Sequence, residues 1–350
     1  MKINFILLAV MTAVQIGGTY FLTPLNIKLS KRFGFTVHPH NRGIHTKVTP
    51  VAGGLSIAVP FLINLFMLAY FFRSAWESSS FGILIAGNIL FLLLGLADDK
   101  LTHSAWYKLV VQIAIAILMF YGNFRINLLT NPFGESFELG FLSLPLTIGW
   151  YLVVINALNL IDGMDGLASG ISSIVCFSLF IFGLKLGNPV LIYAGLTLGI
   201  GSFTFLKYNF YPARIFLGDT GSLFLGFNIA SLTVAGLSQV KGFTAMTMIF
   251  PIALLFIPIF DMISSVFRRL GKKRHIFQAD KEHIHHVLLG SGLSQKTVAI
   301  ICYVITAMFS LVAIGFSFSG KKIFFALLLA VLMAVTASVF YLYKHFKKEQ

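Results

Sequence analysis

Long apolar segments constrain the fold of this 350-residue chain more than any other feature. An apolar run of roughly 18 or more residues is typical of a helix that spans a bilayer. Only 11% of the residues are charged, against about 25% in soluble domains, which excludes an ordinary globular protein. We therefore expect an all-α integral membrane protein of about eleven transmembrane helices. The predicted spans are 3–23, 51–72, 81–97, 106–122, 139–156, 167–186, 189–206, 220–237, 243–260, 297–316 and 322–343.

The segments follow one another without a soluble domain or an internal repeat, which predicts one polytopic membrane domain over residues 1–350. The longest polar connections are a first loop, 24–50, and a later loop, 261–296. One early charge, Lys2, and the lack of a small-residue cleavage site indicate a retained first helix. Cys176 and Cys302 lie inside apolar runs, so neither a disulfide framework nor a cysteine metal site is expected.

Basic residues predict the orientation of the chain. With the N-terminus outside, 19 of the 26 Lys and Arg residues fall on the inner side, which satisfies the positive-inside rule and makes the C-terminus cytoplasmic. Every Asp and every His also falls at an inner end or loop, although neither residue type takes part in that rule. One cytoplasmic site built from several loops explains this sorting. The net charge of +14 is better explained by basic loops beside an anionic leaflet than by nucleic-acid binding.

The first candidate motif, Asp98-Asp99, closes the third predicted span. Two adjacent carboxylates at a helix end are costly unless they are solvated or neutralised by a cation. Helical neighbours point about 100° apart, so the two are not expected to bind one ion together. The pair therefore fits either a solvated helix end or part of a site.

The second motif runs from Asn156 to Gly166 and contains Asn159, Asp162 and Asp165. On a helix, side chains three residues apart share a face, so the two asparagines would pair, as would the two aspartates. The alternative is a glycine-rich turn with capping residues. Four polar side chains beside a membrane helix favour a ligand site.

The third motif, Gly218-Asp219-Thr220-Gly221-Ser222, enters the eighth predicted span. Asp or Ser there could simply cap the helix. The free N–H groups of a helix start also favour anions. Together with the earlier carboxylates, this motif suggests Mg²⁺ beside phosphates, since Mg²⁺ typically takes one or two carboxylates and leaves its other positions to water and substrate oxygens.

The fourth motif is His283-Ile-His285-His286, in a basic loop that also holds Arg268 and Arg269. Its histidines could bind Zn²⁺, or could belong to a solvated loop. The absence of a nearby cysteine and the cationic surroundings favour binding of a phosphate or sugar.

At these motifs the chain resembles the polyprenyl-phosphate N-acetylhexosamine-1-phosphate transferases, which are glycosyltransferase family 4 and the superfamily of MraY, WecA and TagO. The resemblance runs from the first loop to the His motif, and the His-Ile-His-His form and the eleventh span are similar to the WecA/TagO branch. It implies transfer of GlcNAc-1-phosphate from UDP-GlcNAc to undecaprenyl phosphate, giving undecaprenyl-diphospho-GlcNAc and UMP. This would be the first membrane step of a cell-envelope glycan such as lipopolysaccharide or teichoic acid, at the cytoplasmic face of the cell membrane. Mg²⁺, or Mn²⁺ in its place, is the implied cofactor, and dimerisation is a family-level expectation.

The resemblance also implies roles for individual residues. Asp219 is similar to the principal Mg²⁺ ligand, and Asp98 and Asp99 to residues at the reacting phosphates, with Asp98 also a candidate metal ligand. The implied nucleotide site is Asn156, Asn159, Asp162 and Asp165; the implied acceptor or phosphate contacts are Lys108 and Asn209; and the implied pyrophosphate and sugar contacts are His283, His285, His286, Arg268, Arg269, His45 and Lys47. The first loop departs from the family pattern, because Val37 precedes His38-Pro39 where relatives often have Asp.

Three alternatives remain at this stage. An enzyme of the same superfamily could use another UDP-N-acetylhexosamine, or could transfer phospho-MurNAc-pentapeptide as MraY does. A transporter is the remote alternative, since such proteins place ionisable groups near the bilayer midplane. The predicted spans carry no acid in their interiors, with Asp98 and Asp261 at span ends, and this argues against a transport path.

Overall fold

The computed structural model describes residues 3–37, 48–72, 78–129, 137–237, 246–272 and 283–318. Within these ranges the chain is almost entirely helical, with two small antiparallel hairpins. The helices are α1 (Phe5–Phe33), α2 (Gly54–Phe71), α3 (Ser78–Leu101), α4 (Ala105–Tyr121), α5 (Ser143–Ile161), α6 (Leu167–Leu186), α7 (Pro189–Asn209), α8 (Gly218–Leu237), α9 (Met246–Leu254), α10 (Phe256–Gly271), α11 (Ile284–Gly290) and α12 (Gln295–Phe318). The strands are β1 (Thr36–Val37) with β2 (Thr49–Pro50), and β3 (Leu128–Leu129) with β4 (Phe137–Glu138), and a 3₁₀ turn covers Gly140–Leu142.

Among the described residues, seven helices are long and apolar enough to cross a membrane, or eight if the bent pair α9 and α10 forms one span. The prediction of an all-α, multi-pass membrane protein is therefore confirmed. The total of eleven spans and the orientation stay predictions. The predicted eleventh span, 322–343, lies outside the described residues.

The predicted span 243–260 corresponds to two helices with a sharp bend between them. The axes of α9 and α10 are bent by 88° at a break beside Leu255. Pro258 is the third residue of α10, where its missing N–H interrupts no helical hydrogen bond, whereas in mid-span it would remove one. Asp261, predicted at the end of a span, instead lies inside α10 and is buried.

The first helix is longer than predicted, because α1 continues to Phe33 and includes residues 24–33 of the predicted first loop. Polar side chains on this extension hydrogen-bond to the backbone of the segment that precedes α2. Asn26 donates to the carbonyl of Ala52 at 2.8 Å, and Ser30 donates to the carbonyl of Val51 at 2.9 Å. At the other end of the chain, α10 occupies residues 261–271 of the predicted later loop.

Helix α8 lies at the centre of the bundle and packs against α2, α3, α5, α6 and α7. Every residue from 220 to 236 is buried, and polar side chains among them, such as Asn228 and Ser231, hydrogen-bond to neighbouring helices. At Gly95 of α3 a Cβ atom would lie only 2.4 Å from the Cα of Thr220, so a glycine is required for the close approach of α3 to α8. This crossing brings Asp98 and Asp99 to the first turn of α8.

Candidate active site

Asp99 caps the N-terminus of α8. Its Oδ1 accepts the N–H of Asp219 at 2.8 Å, and its Oδ2 accepts the N–H of Thr220 at 3.0 Å and the hydroxyl of the same residue at 2.5 Å. Gly218 precedes this turn at φ +74°, and a Cβ there would lie 2.6 Å from Asp99 Oδ2. Both carboxylate oxygens of Asp99 are thus used to hold the start of α8, which fixes where the Asp219 side chain begins.

The Lys108 ammonium joins two carboxylates from different helices. Its Nζ donates to Asp98 Oδ2 at 2.9 Å and to Asp219 Oδ2 at 2.8 Å. Asp98 Oδ1 also accepts the backbone N–H of His103 at 2.9 Å, in the turn that connects α3 to α4. Side chains of α3, α4 and α8 therefore meet at one point, and all three were predicted site residues.

The second motif reaches the same point through Asn159 and Asp162. Asn159 Nδ2 donates to Asp219 Oδ1 and to Ser222 Oγ, each at 2.9 Å. Asp162 follows α5, and its carboxylate accepts the backbone N–H of Gly218. Burial raises the pKa of Asp162 well above its ordinary value, and the negative charges of Asp219 and Asp99 raise it further. This group of carboxylates therefore favours the binding of a positively charged group.

Three predicted site residues are held by other parts of the protein. Asn156 Nδ2 donates to Gln112 Oε1 of α4 at 2.7 Å, and Asp165 Oδ2 accepts the N–H of Ala213 at 2.9 Å. Asn209 accepts from Ser169 at 2.7 Å and donates to the carbonyl of Ile215 at 2.9 Å. The first contact joins α5 to α4, and the others hold the segments that follow α5 and α7. Direct contacts of the three residues with nucleotide or phosphate stay predictions.

The donor chemistry of the cluster fits a hard divalent cation, because Asp98 and Asp219 share the Lys108 ammonium and the carboxylates of Asp99 and Asp162 lie beside the first turn of α8. Within the described ranges no three His, Cys, Asp or Glu side chains already converge as a ligand shell. Because the oxygens of Asp99 are engaged with α8, Asp98 and Asp219 are the better candidates to hold Mg²⁺. That role stays a prediction.

The fourth motif forms a second cluster around Asp261. His283 Nδ1 lies 3.0 Å from Asp261 Oδ2, and the N–H of Ile284 donates to Asp261 Oδ1 at 2.8 Å. The rings of His283 and His285 are nearly parallel, with centroids 5.7 Å apart, and those of His285 and His286 are 4.4 Å apart. Helix α11 thus begins on a buried carboxylate of α10.

The His cluster contacts the second motif through His285. A Cβ atom on Gly163 would lie 3.0 Å from His285 Nε2, so the ring packs against the turn that follows Asp162. Burial lowers the pKa of His285 to about 4, and the neighbouring His286 lowers it as well. His285 is therefore neutral near pH 7, which suits packing against a turn more than ion pairing with a phosphate.

The remaining predicted residues lie farther along α10 or outside the described residues. Arg268 and Arg269 lie in the last turn of α10, seven and eight residues after Asp261. His45 and Lys47 lie outside the described residues.

Sequence reasoning did not assign roles to Asp261, Gln112 or Ser222. Asp261 is a single acid at the edge of an apolar run, so no spacing pattern marks it as the partner of a histidine 22 residues away. Gln112 shows a weak signal, a polar amide inside a predicted span. Ser222 was part of the third motif but was given no role; its hydroxyl accepts from Asn159 of the second motif.

Comparison with known proteins identifies a matching family and several similar proteins. A model of the family described as glycosyl transferase family 4 matches residues 81–237. The probable undecaprenyl-phosphate N-acetylglucosaminyl 1-phosphate transferase of Bacillus subtilis (strain 168) is 34% identical over 329 residues, covering 93% of this chain and 90% of that protein.

Two further relatives differ in the substrates that their names state. The decaprenyl-phosphate N-acetylglucosaminephosphotransferase of Mycobacterium tuberculosis (strain ATCC 25618 / H37Rv) is 31% identical, covering 81% of this chain and 76% of that protein. The phospho-N-acetylmuramoyl-pentapeptide-transferase of Caldanaerobacter subterraneus subsp. tengcongensis is 32% identical, covering 85% of this chain and 93% of that protein.

Proposed function

Because the chain belongs to glycosyl transferase family 4, we propose that it transfers GlcNAc-1-phosphate from UDP-GlcNAc to undecaprenyl phosphate and releases UMP. The relative from B. subtilis, whose name states undecaprenyl phosphate and an N-acetylglucosaminyl 1-phosphate group, matches over 90% of its length. At the site, one observation carries the proposal: a lysine ammonium is shared by carboxylates of α3 and α8, at the point where three of the four sequence motifs meet.

In the proposed reaction, an oxygen of the lipid phosphate attacks the β-phosphorus of UDP-GlcNAc. A new P–O bond forms, the bond from that phosphorus to the bridging oxygen breaks, and UMP leaves with the electron pair. Both reactants are anions, so positive charge beside them lowers the barrier. The second pKa of a phosphate monoester is about 6, so near neutrality the attacking oxygen carries no proton that a base must remove.

The residues of the chain then have separable tasks. Lys108 supplies positive charge beside Asp98 and Asp219, and Asn159 holds the second oxygen of Asp219. Asp99 fixes the first turn of α8 through two backbone N–H groups. These contacts hold the cluster in place before substrates arrive, which is what a transfer between two bound anions requires.

We propose that Asp219 and Asp98 bind Mg²⁺, with Mn²⁺ as a substitute. The cation would offset the charge of the phosphates at the reacting centre.

We place the reaction at the cytoplasmic face of the cell membrane, where a soluble nucleotide sugar and a lipid phosphate can meet. Dimerisation, expected from relatives, remains a prediction.

The proposal is tested by UMP release from the purified protein in mild detergent, supplied with Mg²⁺ and either undecaprenyl or decaprenyl phosphate. The donors compared are UDP-GlcNAc, UDP-GalNAc and UDP-MurNAc-pentapeptide. We expect release from UDP-GlcNAc with undecaprenyl phosphate, and loss of that release with EDTA and in Asp219→Asn. A matched control is Glu138→Gln, which changes an exposed acid in the hairpin before α5, at the opposite end of α5 from Asp162.

Each other outcome has a definite meaning. Release only from the pentapeptide donor would assign the activity stated in the name of the Caldanaerobacter relative. Release that survives EDTA would contradict the metal proposal alone. No release and no binding of any donor by folded protein would contradict the transferase proposal and favour transport.

A further inference from the structure

Asp261 is a buried acid whose contacts lead to the His motif. Its exposed fraction is 1%, and it is the sixth residue of α10, after the bend that separates α10 from α9. A buried carboxylate is costly unless polar partners satisfy it. The bend gives it those partners, because it directs this part of α10 to the start of α11.

Both oxygens of Asp261 are used at the start of α11. Oδ2 lies 3.0 Å from His283 Nδ1, and Oδ1 accepts the N–H of Ile284 at 2.8 Å. A carboxylate can only accept at these positions, so the ring nitrogen facing it carries the proton. The other ring nitrogen, Nε2, is then an acceptor in the neutral ring and a donor in the charged ring.

We propose that Asp261 is a positioning residue that acts through His283: it holds a proton on Nδ1 and so determines that Nε2 is the nitrogen presented to the phosphates or sugar of the donor. The proposal rests on the proposed function and on the family resemblance, which implies that the His motif contacts the pyrophosphate and sugar of the donor. A carboxylate that binds one nitrogen of an imidazole fixes the orientation and protonation of the ring at the other nitrogen.

The surroundings of Asp261 support a positioning role over a catalytic one. The carboxylate is buried, and its two oxygens already contact His283 Nδ1 and the N–H of Ile284. Among the described residues, the titratable groups near it include His283, His285, His286 and Cys302 of α12. His285 presents its Nε2 to Gly163, so it does not compete with His283 for the carboxylate.

Asp261→Asn separates the two tasks of the carboxylate. The introduced carboxamide keeps an oxygen that can accept from Ile284, while its NH₂ group faces Nδ1 and donates to it. The proton of the neutral ring then moves to Nε2. We expect KM for UDP-GlcNAc to rise about tenfold, as is typical when the partner that orients a histidine is lost, with a smaller change in kcat.

The mutant cycle with His283→Gln tests whether Asp261 acts through the ring. We expect Asp261→Asn to have no further effect on KM in the His283→Gln background. Met262→Leu, a volume-conserving change at the adjacent position of α10, is the packing control and should leave KM unchanged. If Asp261→Asn lowers activity equally in both backgrounds, the carboxylate is structural and the proposal is wrong.

A direct readout comes from NMR of protein labelled with ¹⁵N-histidine and measured at pH 8 without substrate. The chain has nine histidines, and the spectrum of His283→Gln identifies the signals of that ring. We expect the Nδ1-protonated form in the wild type and the Nε2-protonated form in Asp261→Asn. Identical ring signals in the two proteins would overturn the proposal. This readout needs no activity, so it stands even if the wild type releases no UMP and the proposed function fails.

Discussion

Asp98 and Asp99 are adjacent in the sequence but contact different parts of α8. Asp99 binds the backbone of the first turn, whereas Asp98 binds the Lys108 ammonium that also binds the Asp219 side chain. Adjacent helical side chains point about 100° apart, so one carboxylate can cap a helix while its neighbour faces the site. The two residues are therefore expected to fail in different ways when they are substituted.

Asp98→Asn is expected to lower kcat about 100-fold, because the shared ammonium loses one of its two anionic partners. The defect should be the same from pH 6.5 to pH 9 if Asp98 orients groups and removes no proton. The measurement is the pH profile of UMP release for both proteins. Recovery of the variant as the pH rises would instead support a general-base role for Asp98.

His285 is expected to make the stability of the protein depend on pH. Its folded pKa is about 4, below the value of about 6.5 in the unfolded chain, so the unfolded state binds the extra proton between these values. Stability is then full above about pH 7 and falls as the pH drops toward 4, by about 2 kcal/mol between pH 7 and pH 5. Thermal unfolding in detergent at the two pH values measures this difference.

His285→Gln serves as the comparison, since glutamine does not titrate. The variant should lose less stability between pH 7 and pH 5 than the wild type loses. Equal losses in the two proteins would show that His285 is not the responsible group.

At the scale of elements, the crossing of α3 and α8 is the contact on which the first cluster depends. Gly95 lies at that crossing, and a Cβ atom there would meet the backbone of Thr220 at 2.4 Å. Gly82, earlier on the same helix, has no such neighbour within 4 Å in the part of the chain that the structure describes. The two glycines therefore form a matched pair for testing close packing.

Gly95→Ala is expected to destabilise the protein by about 1–3 kcal/mol and to reduce UMP release, because α3 must move away from α8. Gly82→Ala should not lower either quantity, since alanine favours a helix and meets open space there. The measurements are the unfolding temperature in detergent and the initial rate. Equal behaviour of the two variants would contradict the packing argument.

The helices that could be predicted are those whose boundaries coincide with changes in composition. The predicted span 167–186 matches α6, and the predicted 220–237 begins two residues inside α8. The bend within 243–260 was not predicted, because the hydropathy of an apolar segment is the same whether its helix is straight or bent. Pro258 was the available signal, but a proline fits a kink, a break or a helix start equally well.

Residues of the site could be predicted where several polar residues lie close together in the sequence. Asp219, Asn159 and Asp98 were named from the motifs and Lys108 from the family resemblance, and the structure brings the four together. Asp261 was not predicted, because its importance comes from a tertiary contact with His283 that depends on the bend after α9. Likewise, nothing in the pair Asp98-Asp99 indicates which of the two caps α8.

At the scale of the whole molecule, the described helices place the cluster at one end of the bundle. Asp98 near the end of α3, Asp162 after α5 and Asp219 at the start of α8 lie together, while Glu138 precedes the opposite end of α5. The sequence predicts that the cluster end is cytoplasmic. The two cysteines are buried, so single introduced cysteines can report which side of the membrane each end faces.

Lys207→Cys, at an exposed position near the cluster end of α7, is expected to react with a membrane-impermeant maleimide only after the cells are permeabilised. Glu138→Cys should react in intact cells. The measurement is labelling of the protein in cells before and after permeabilisation. The reverse pattern would place the cluster outside and contradict the predicted orientation.

The position of α8 has a consequence for how the protein responds to its lipids. A transmembrane helix in contact with lipid adjusts to bilayer thickness by tilting, at a cost of fractions of a kcal/mol per ångström of mismatch. Residues 220–236 are buried on every side, so α8 cannot tilt unless its five neighbours move with it. We therefore expect the geometry around Asp219 to be insulated from acyl-chain length, so that thinner or thicker bilayers change access to the site before they change its chemistry.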